Sequence, residues 1–230
     1  MRHAGRYRSL LLLLVLGATA CVADPRYLAP EQLDLTVVVM PPPPAGSATE
    51  MQELQSVLEA QNARTPEQVA RAQADVPVSV FRFADVLGAN FNDARVPKTA
   101  AFFQRVTRDA NPLWDAAKKH WNRPRPFAAG PGVQPVLDRP RSAAYPSGHS
   151  ASGYLWAVLL AQMVPEKRTE LFARALEYGH NRIVGGVHWP SDDEAGRIIG
   201  AVIAALMMQS PAFRADLLSS KVELRAALGY

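Results

Sequence analysis

Two short stretches of this chain place a histidine where it could handle a phosphate anion. In the first, Pro146-Ser147-Gly148-His149 leads into a long apolar helical pattern, which makes Ser147 a natural N-cap. The first turn of a helix offers unpaired N–H groups and a partial positive charge, and Gly148 lets an oxyanion approach the backbone closely. The stretch is compatible with an anion site beside an imidazole, although on its own a capped helix with an incidental histidine explains it better.

The second stretch has the spacing Arg182-(five residues)-His188-(three residues)-Asp192. Gly185-Gly186 predicts a turn before His188, and Ser191 as the N-cap of the next helix puts Asp192 at its first position. From there the Asp192 carboxylate can accept a hydrogen bond from His188, which fixes the imidazole tautomer and supports positive charge on the ring. Helix capping explains Asp192 equally well, so this stretch alone fits both interpretations.

A third stretch, Lys118-(six residues)-Arg125-Pro126, supplies two cations. Pro124 and Pro126 flank Arg125 and restrict its backbone, which lowers the entropy cost of aiming the guanidinium. Arginine suits bidentate contacts to phosphate and lysine suits a point-charge contact. We interpret the other basic residues nearby as a solvated patch and two further histidines as structural background; these are Lys119, Arg123, Arg139, Arg141, His120 and His180.

The elements that must position these stretches carry helical signals. Ser47 and Thr65 are candidate N-caps, and Pro66 is well placed at the first helical position. Asn111-Pro112 is expected to break or kink the helix that runs from Pro97 to about Trp121. Ser191 and Glu194 predict a capping box. Apolar periodicity predicts further helices over 147–164, 165–179, 191–209 and 211–228.

These signals predict an all-α fold. There is no convincing period-two alternation and no internal repeat, and the 230 residues suit one sizeable domain. We expect a single-domain helical bundle of about seven or eight helices with a central core bundle. No stretch after the N-terminal region reaches 18 uninterrupted apolar residues, so we expect a soluble bundle without a membrane span.

The first 23 residues have the order of a secretory signal peptide. Three arginines precede an apolar run over 10–16, and small residues follow it. Cys21, the single cysteine, follows Ala18-Thr19-Ala20, so either a lipoprotein cleavage site before Cys21 or a soluble-secretion site fits. We therefore expect an exported, periplasmic protein that is soluble or lipid-anchored at Cys21. A proline-rich extended segment over 24–47 follows, either packed or tethering, and 48–230 form the helical domain.

The charge balance argues against a nucleic-acid partner. The chain has 25 basic and 21 acidic residues, and three of the arginines belong to the leader, which has no acidic residue. The rest of the chain is therefore close to neutral, without a long basic run. The sequence also offers no convincing cluster of metal ligands, so no metal or other cofactor is predicted.

Together, and in this order, the three stretches resemble the signature of the type 2 phosphatidic acid phosphatase superfamily, which also contains the vanadium haloperoxidases. That signature is Lys-x6-Arg-Pro, Pro-Ser-Gly-His and Ser-Arg-x5-His-x3-Asp. One position departs from it, because Asn181 stands where the family usually has serine, which puts a secondary contact in doubt. Within the superfamily the chain is most similar to the bacterial class A non-specific acid phosphatases, through its leader and the segments 27–28, 40–44, 142–150, 187–197 and 210–213.

The resemblance implies a metal-independent acid phosphatase that hydrolyses phosphate monoesters through a phosphohistidine. His188 would be the nucleophile, His149 the general acid and base, and Asp192 the group that orients His188. The phosphate-binding residues would be Lys118, Arg125, Ser147, Gly148 and Arg182. Expected substrates are small phosphomonoesters over a broad range, with nucleotides among the candidates, and a homodimer through the segment 33–40 is left open.

Three alternatives remain open from the sequence. A vanadate-dependent haloperoxidase uses the same site, although the short chain and the class A features argue against it. A lipid phosphate phosphatase is compatible with a lipidated Cys21, but integral-membrane relatives have several spans. An exported phosphate-binding module without enzymatic activity would not require His188 and Asp192 at this spacing.

Overall fold

The computed structural model describes residues 26–230, so the leader predicted over 1–23, with Cys21, lies outside the described residues. Within 26–230 the regular structure is entirely helical, which confirms the all-α, single-domain prediction. Two of the nine α-helices, α3 and α5, have only 4 residues each. The α-helices are α1 Ala48–Ala63, α2 Pro66–Ala74, α3 Ala84–Leu87, α4 Pro97–Trp121, α5 Pro126–Ala129, α6 Gly148–Met163, α7 Arg168–Val184, α8 Pro190–Met207 and α9 Pro211–Leu228. Short 3-10 turns cover Pro30–Gln32, Leu35–Val37, Val80–Phe83 and Pro165–Lys167.

Helix α6 forms the centre of the bundle. Its sequence is apolar on most sides, and eleven of its 16 residues are buried. A helix without a polar face finds its stable place in the core. Helices α7 and α8 pack along α6, while α4 and α9 pack against each other and against it. The helix that begins with the predicted anion site is therefore held in place by the helices packed around it.

Two glycines of α8 bring its start next to the start of α6. A Cβ atom on Gly196 would lie 2.5 Å from the Ser147 carbonyl oxygen, and one on Gly200 would lie 2.5 Å from the Ala151 carbonyl oxygen. Only glycine allows backbones this close. As a result the Ser147 N–H donates to the Asp192 carbonyl oxygen at 2.9 Å, and two signature stretches become neighbours.

The sequence predicts a break or a kink at Asn111-Pro112 in α4, and the break is wrong. The helix runs without interruption from Pro97 to Trp121, with Pro112 inside it. A proline there removes one backbone hydrogen bond. The helix nevertheless buries Phe103, Val106, Leu113 and Trp114, and this packing offsets the lost bond.

The start of α8 also differs from the prediction. Trp189, not Ser191, is the N-cap, and Pro190 takes the first helical position, where its missing N–H costs nothing. Asp192 is consequently at the third position, and its carboxylate accepts the Trp189 N–H at 2.9 Å. Glu194, which was predicted to close the capping box, instead pairs with Arg197.

The segment between the leader and α1 packs against the domain over its described part. Tyr27, Leu28, Leu35 and Val39 are buried. The Tyr27 N–H donates to the buried Asp109 carboxylate on α4 at 2.7 Å. Packing, not tethering, therefore describes residues 26–47.

Across the described residues, no single helix combines the length and the hydropathy that a bilayer crossing needs. The pair α8 and α9 meets the criterion only when taken together, and the two helices are bent by 102° at their junction.

Candidate active site

The fold gathers the predicted site residues from five helices and one loop. Lys118 is in the last turn of α4, Arg125 is the N-cap of α5, and Arg182 is in the last turn of α7. His149 and Gly148 open α6, and His188 and Asp192 lie on either side of the start of α8. Besides the Ser147–Asp192 backbone contact, Lys118 Nζ donates to the Pro146 carbonyl oxygen at 2.6 Å, and Arg125 Nη1 lies 3.1 Å from His188 Nε2.

His188 is held in one tautomer by its two neighbours. Its Nδ1 lies 2.9 Å from Asp192 Oδ2. Arg125 has only donors, so the contact at Nε2 requires that nitrogen to accept and places the ring proton on Nδ1. The Nε2 lone pair therefore faces a cation, and the Nδ1–H faces a carboxylate.

The Asp192 carboxylate is fully buried and has three donors around it. Besides His188 and the Trp189 N–H, Arg123 Nη1 donates to Oδ1 at 2.8 Å. Burial raises the pKa of Asp192 to about 6, against the opposing effects of Arg123 and the Trp189 N–H. Arg123 and the Trp189 N–H favour the ionised carboxylate, which accepts the proton on His188 Nδ1.

Arg123 corrects the sequence analysis, which assigned it to a solvated patch. It is 4% exposed, whereas Lys119, Arg139 and Arg141 are exposed as expected. Its pairing with Asp192 makes burial of the guanidinium tolerable, and its face lies over the Trp189 ring at 4.9 Å.

Glu53 completes this network and was missed from the sequence. Its carboxylate accepts from Arg123 Nη2 at 2.6 Å and from the Ser191 N–H at 2.6 Å. It comes from α1, about 70 residues before its partner Arg123 in sequence. One signal was available: Glu53 lies one helical turn before the buried Val57, so a carboxylate occupies the inward face of α1.

Three buried cations, Lys118, Arg125 and Arg182, lie close enough to His188 to lower its pKa beyond the effect of burial, and Arg125 contacts Nε2 directly. Lys118 is saturated by the carbonyl oxygens of Ala143, Ala144 and Pro146. Arg125 donates to Val187 and to the backbone and side chain of Ser142; these contacts span 2.7 to 3.2 Å. Both side chains are thereby fixed in direction before any ligand binds.

Arg182 differs from the other two cations. It is 3% exposed, yet its Nε and Nη1 atoms have no hydrogen-bond partner among the described residues. Leaving buried donors unpaired is costly, more so for a charged group. These two donors are therefore the best candidates for oxygen atoms of a bound anion.

The pKa values of the cations show an excess of positive charge. Burial lowers the pKa of Lys118 to about 8, and the charge of Arg125 acts in the same direction. Burial lowers the pKa of Arg125 to about 10, and Arg182 contributes to the decrease. Burial likewise lowers the pKa of Arg182. A phosphate dianion bound among these cations would raise all three pKa values again.

His149, in the first turn of α6, is partly exposed. Its Nε2 is 3.1 Å from the Val76 carbonyl oxygen, and its ring lies 5.4 Å from the Tyr178 ring at 31°. Burial lowers the pKa of His149 to about 3, with the Arg182 charge as the second cause. Burial also lowers the pKa of His188 well below its ordinary value, and the charges of Arg125, Lys118 and Arg182 act in the same direction.

Ser147 and Gly148 are placed at the N-terminus of α6. The Ser147 hydroxyl is fully buried and serves the helix cap, since it accepts the Ser150 N–H at 3.3 Å. Gly148 is the first helical residue, and the N–H groups of a first turn have no intrahelical acceptor. The Gly148 N–H and the Ser147 hydroxyl, which only accepts in its contacts with Ser150, can therefore both donate to an anion.

Metal ligands are not gathered in the part of the chain that the structure describes. No group of three or more His, Cys, Asp or Glu side chains over 26–230 could hold a metal ion. The two other predicted background histidines, His120 and His180, are exposed.

Comparison with known proteins agrees with the signature. Residues 107–216, which include every predicted site residue, match the family model described as PAP2 superfamily. The non-specific acid phosphatase of Salmonella typhi is 30% identical over 226 residues, which cover 93% of this chain and 90% of that protein. The acid phosphatase of Zymomonas mobilis subsp. mobilis is 30% identical over 204 residues, 84% of this chain and 76% of that protein.

Among solved structures, a bacterial vanadium-dependent iodoperoxidase is similar with a TM-score of 0.58 and 20% identity. The match covers 74% of this chain and 52% of the iodoperoxidase chain. At that identity the similarity shows a shared fold and nothing about the reaction.

Proposed function

The chain belongs to the PAP2 superfamily and is an acid phosphatase, and from this we propose that it hydrolyses phosphate monoesters through a phosphohistidine on His188, without a metal ion. One observation carries the proposal: Nε2 of His188 lies 3.1 Å from the buried Arg125 guanidinium, while Asp192 accepts the proton on the opposite ring nitrogen. A nucleophile oriented by a carboxylate next to an anion cradle is suited to phosphoryl transfer.

In the first step, His188 Nε2 donates its lone pair to phosphorus, and the N–P bond forms as the bond to the leaving oxygen breaks. His149 gives its proton to that oxygen, so an alcohol departs. The ring of His188 becomes positive, and Asp192 at 2.9 Å stabilises that charge. In the second step, water loses a proton to His149 and attacks phosphorus, and the electron pair of the N–P bond returns to Nε2.

The cations supply the charge stabilisation that a metal supplies in other phosphatases. Arg182 offers two unpartnered donors, and Lys118 and Arg125 add charge in fixed positions. Preorganised donors of this kind stabilise developing negative charge without reorganisation during the reaction.

The low pKa of His149 couples its protonation to substrate binding. Burial is the larger cause of this low pKa and the charge of Arg182 the second, and a phosphate dianion next to Arg182 would cancel the second effect, so substrate binding favours the protonated imidazole. We therefore expect a bell-shaped pH dependence with an optimum below neutrality. An optimum above about pH 8 would contradict the assignment, because histidine ordinarily titrates near pH 6.5.

The test is hydrolysis of p-nitrophenyl phosphate with EDTA present, by the wild type, His188→Ala and His180→Ala. His188→Ala should lose on the order of 10⁶-fold in kcat, as expected for removal of a covalent nucleophile. His180→Ala, which changes an exposed histidine, is the matched control and should stay near wild type. Alkaline quenching should trap labelled phosphoenzyme only where His188 is present. Near-normal turnover in His188→Ala, or activity lost to EDTA, would sink the proposal.

The same protein can be assayed for the alternatives. Peroxide-dependent halide oxidation with vanadate reports a haloperoxidase, and phosphate release from phosphatidic acid vesicles reports a lipid phosphatase. Adenosine monophosphate tests whether nucleotides belong to the substrate range. We expect p-nitrophenyl phosphate and nucleotides to be turned over, and halide oxidation without phosphatase activity would reverse the assignment.

We also propose that the protein is exported to the periplasm, on the basis of the leader pattern over 1–23. Cell fractionation should find the phosphatase in the periplasm, soluble or membrane-associated. If it is membrane-associated, Cys21→Ser should release it. A full-length cytoplasmic protein would contradict export.

The proposal of a homodimer rests on the segment 33–40, where Val37 and Met40 are 81% and 80% exposed. Exposed apolar side chains of this size suit a contact between copies. Sedimentation of the wild type beside Val37→Asp tests it: a dimer that persists in the variant, or a wild-type monomer, would contradict it.

A further inference from the structure

The inference concerns the backbone that holds His149. Nε2 of His149 lies 3.1 Å from the carbonyl oxygen of Val76, in the loop after α2. A carbonyl oxygen can only accept, so Nε2 carries the hydrogen of the neutral ring. Nδ1 is then the nitrogen left to exchange a proton during the reaction. The direction of His149 depends on what fixes Val76.

The residue before Val76 is a fully buried carboxylate, Asp75. Its Oδ1 accepts from Arg174 Nη2 at 2.5 Å and from Arg82 Nε at 2.9 Å. Its Oδ2 accepts from Asn181 Nδ2 at 2.8 Å. Three donors from two separate segments therefore hold this side chain in one place.

The residue after Val76 is held by the same helix. The Tyr178 hydroxyl donates to the Pro77 carbonyl oxygen at 3.3 Å, and the Tyr178 ring packs beside His149. Arg174, Tyr178 and Asn181 recur at spacings of four and three, so they share one face of α7. The two residues that flank Val76 are consequently attached to α7, one turn from Arg182.

Asn181 has a role here that a shorter side chain would fill poorly. It occupies the position where the signature has serine, and its amide reaches Asp75 across about a hundred residues of sequence. Its neighbour in sequence is the phosphate ligand candidate Arg182. Asn181 thus connects the loop that holds His149 to the end of α7 that carries Arg182.

We propose that Asp75, held by Asn181, is a positioning residue for the acid–base step: it fixes the Val76 carbonyl against His149 Nε2, so that Nδ1 exchanges the proton with the leaving oxygen. The proposal rests on the function of His149 proposed above. The charged and titratable groups facing His149 are Arg182, Asp75, Tyr178 and His188. Asp75 opposes the effect of Arg182, since its charge and the neighbouring carbonyl groups favour the protonated ring.

A series of leaving groups separates this role from a merely structural one. 2,4-Dinitrophenolate leaves without a proton, whereas the alkoxide of glycerol 2-phosphate needs one. General acid catalysis contributes roughly 100- to 10,000-fold where it is needed. Because kcat/KM reports the first chemical step, we expect Asn181→Ala and Asp75→Asn to lower it about 10- to 100-fold for glycerol 2-phosphate. For 2,4-dinitrophenyl phosphate the loss should stay below about threefold.

Two controls make the outcome unambiguous. Asp109→Asn alters another fully buried carboxylate, which pairs with Arg108 and the Tyr27 N–H away from His149. This variant should lower kcat/KM for both substrates equally or leave both unchanged. His149→Ala must show the same selective loss for glycerol 2-phosphate. If His149→Ala is not selective, the proposed function of His149 is wrong. If His149→Ala is selective but Asn181→Ala and Asp75→Asn lower kcat/KM equally for the two substrates, the positioning proposal is overturned.

If Asp75→Asn does not fold, Asn181→Ala still tests the proposal, because it leaves the pairing of Asp75 with Arg174 and Arg82 in place. Its pH profile adds an independent readout. The acidic limb of kcat/KM should shift if the His149 environment changes, and an unchanged profile together with an unchanged substrate ratio counts against the proposal.

Discussion

His188 is held by a side-chain carboxylate, whereas His149 is held by a peptide carbonyl. Asp192 contacts His188 directly at 2.9 Å, and Arg123 and Glu53 stand behind Asp192. His149 instead contacts the carbonyl oxygen of Val76, and the nearest carboxylate in sequence, Asp75, belongs to the preceding residue. The two rings consequently carry their protons on opposite nitrogens.

This difference matches the role proposed for each ring. A nucleophile becomes positive when it takes up phosphorus, and a full negative charge next to it stabilises that state. An acid that must also release its proton is better served by a neutral acceptor, which fixes the direction of the ring with a smaller effect on its pKa. Both carboxylates are buried with arginines, so each network is stable only when complete.

Asp192→Asn is the strongest test of the nucleophile side. The amide keeps the shape of the side chain but can present a donor to Nδ1, which favours the wrong tautomer of His188. Loss of such a buried aspartate costs on the order of 10⁴-fold in kcat in a comparable histidine site. Steady-state kinetics should find this loss for substrates with good and poor leaving groups alike. A loss confined to poor leaving groups would break the distinction between the two histidines.

Arg123→Met tests the support behind Asp192. Removing one partner of a buried ion pair leaves uncompensated charge and costs about 3–5 kcal/mol of stability. Urea denaturation should show this decrease for Arg123→Met. The exposed Arg141→Met is the control and should change stability by less than about 0.5 kcal/mol. Equal stability of the two variants would show that the Arg123 network does not support the fold.

Arg182→Met tests the unpartnered donors that lie between the two histidines. Loss of one oriented donor to a developing negative charge costs roughly 100- to 1000-fold in rate. We expect that decrease in kcat/KM, and weaker inhibition by sulfate, measured at pH 5.5. A variant that binds sulfate as tightly as the wild type would remove Arg182 from the anion cradle.

The pH dependence of stability gives the smallest expected effect. The pKa of His149 is about 3 in the folded protein and near 6.5 when unfolded, so between these values the unfolded chain binds more protons. Stability from this group is therefore complete above pH 6.5 and decreases as the pH falls toward 3. The limiting slope is about 1.4 kcal/mol per pH unit for one group.

Urea denaturation at pH 7, 6 and 5 should show a shallower slope in His149→Asn than in the wild type. The difference between the two proteins isolates this group from His188 and Asp192, which also titrate. Sulfate should reduce the difference, since an anion beside Arg182 favours the protonated ring. Parallel slopes would mean that His149 is not a depressed titrating group.

Much of the fold was predictable because its signals are local. Ser47 and Thr65 cap α1 and α2 as predicted, and the apolar periodicity found the long helices. The errors have local causes as well. Pro112 failed to end α4 because packing of the surrounding apolar residues outweighs one lost hydrogen bond, and Pro190 moved the start of α8 by taking the first helical position.

The family and the phosphatase activity were also within reach of the sequence, and the comparisons confirm both. The roles of the individual site residues stay predictions until the variants are measured. Ser147 has a structural role beside the predicted one, because its hydroxyl accepts the Ser150 N–H in capping α6, and its contact with phosphate stays a prediction.

The sequence alone determined the chemical groups of the site and the helices that begin or end at them, since capping, periodicity and motif spacing depend on neighbouring residues. Only the tertiary structure decided which charges are buried together. Arg123 meets Glu53 across 70 residues, and Asn181 meets Asp75 across 106. In the unfolded chain these are ordinary solvated groups. The close packing of the helices removes the water and pairs the groups behind each of the two histidines.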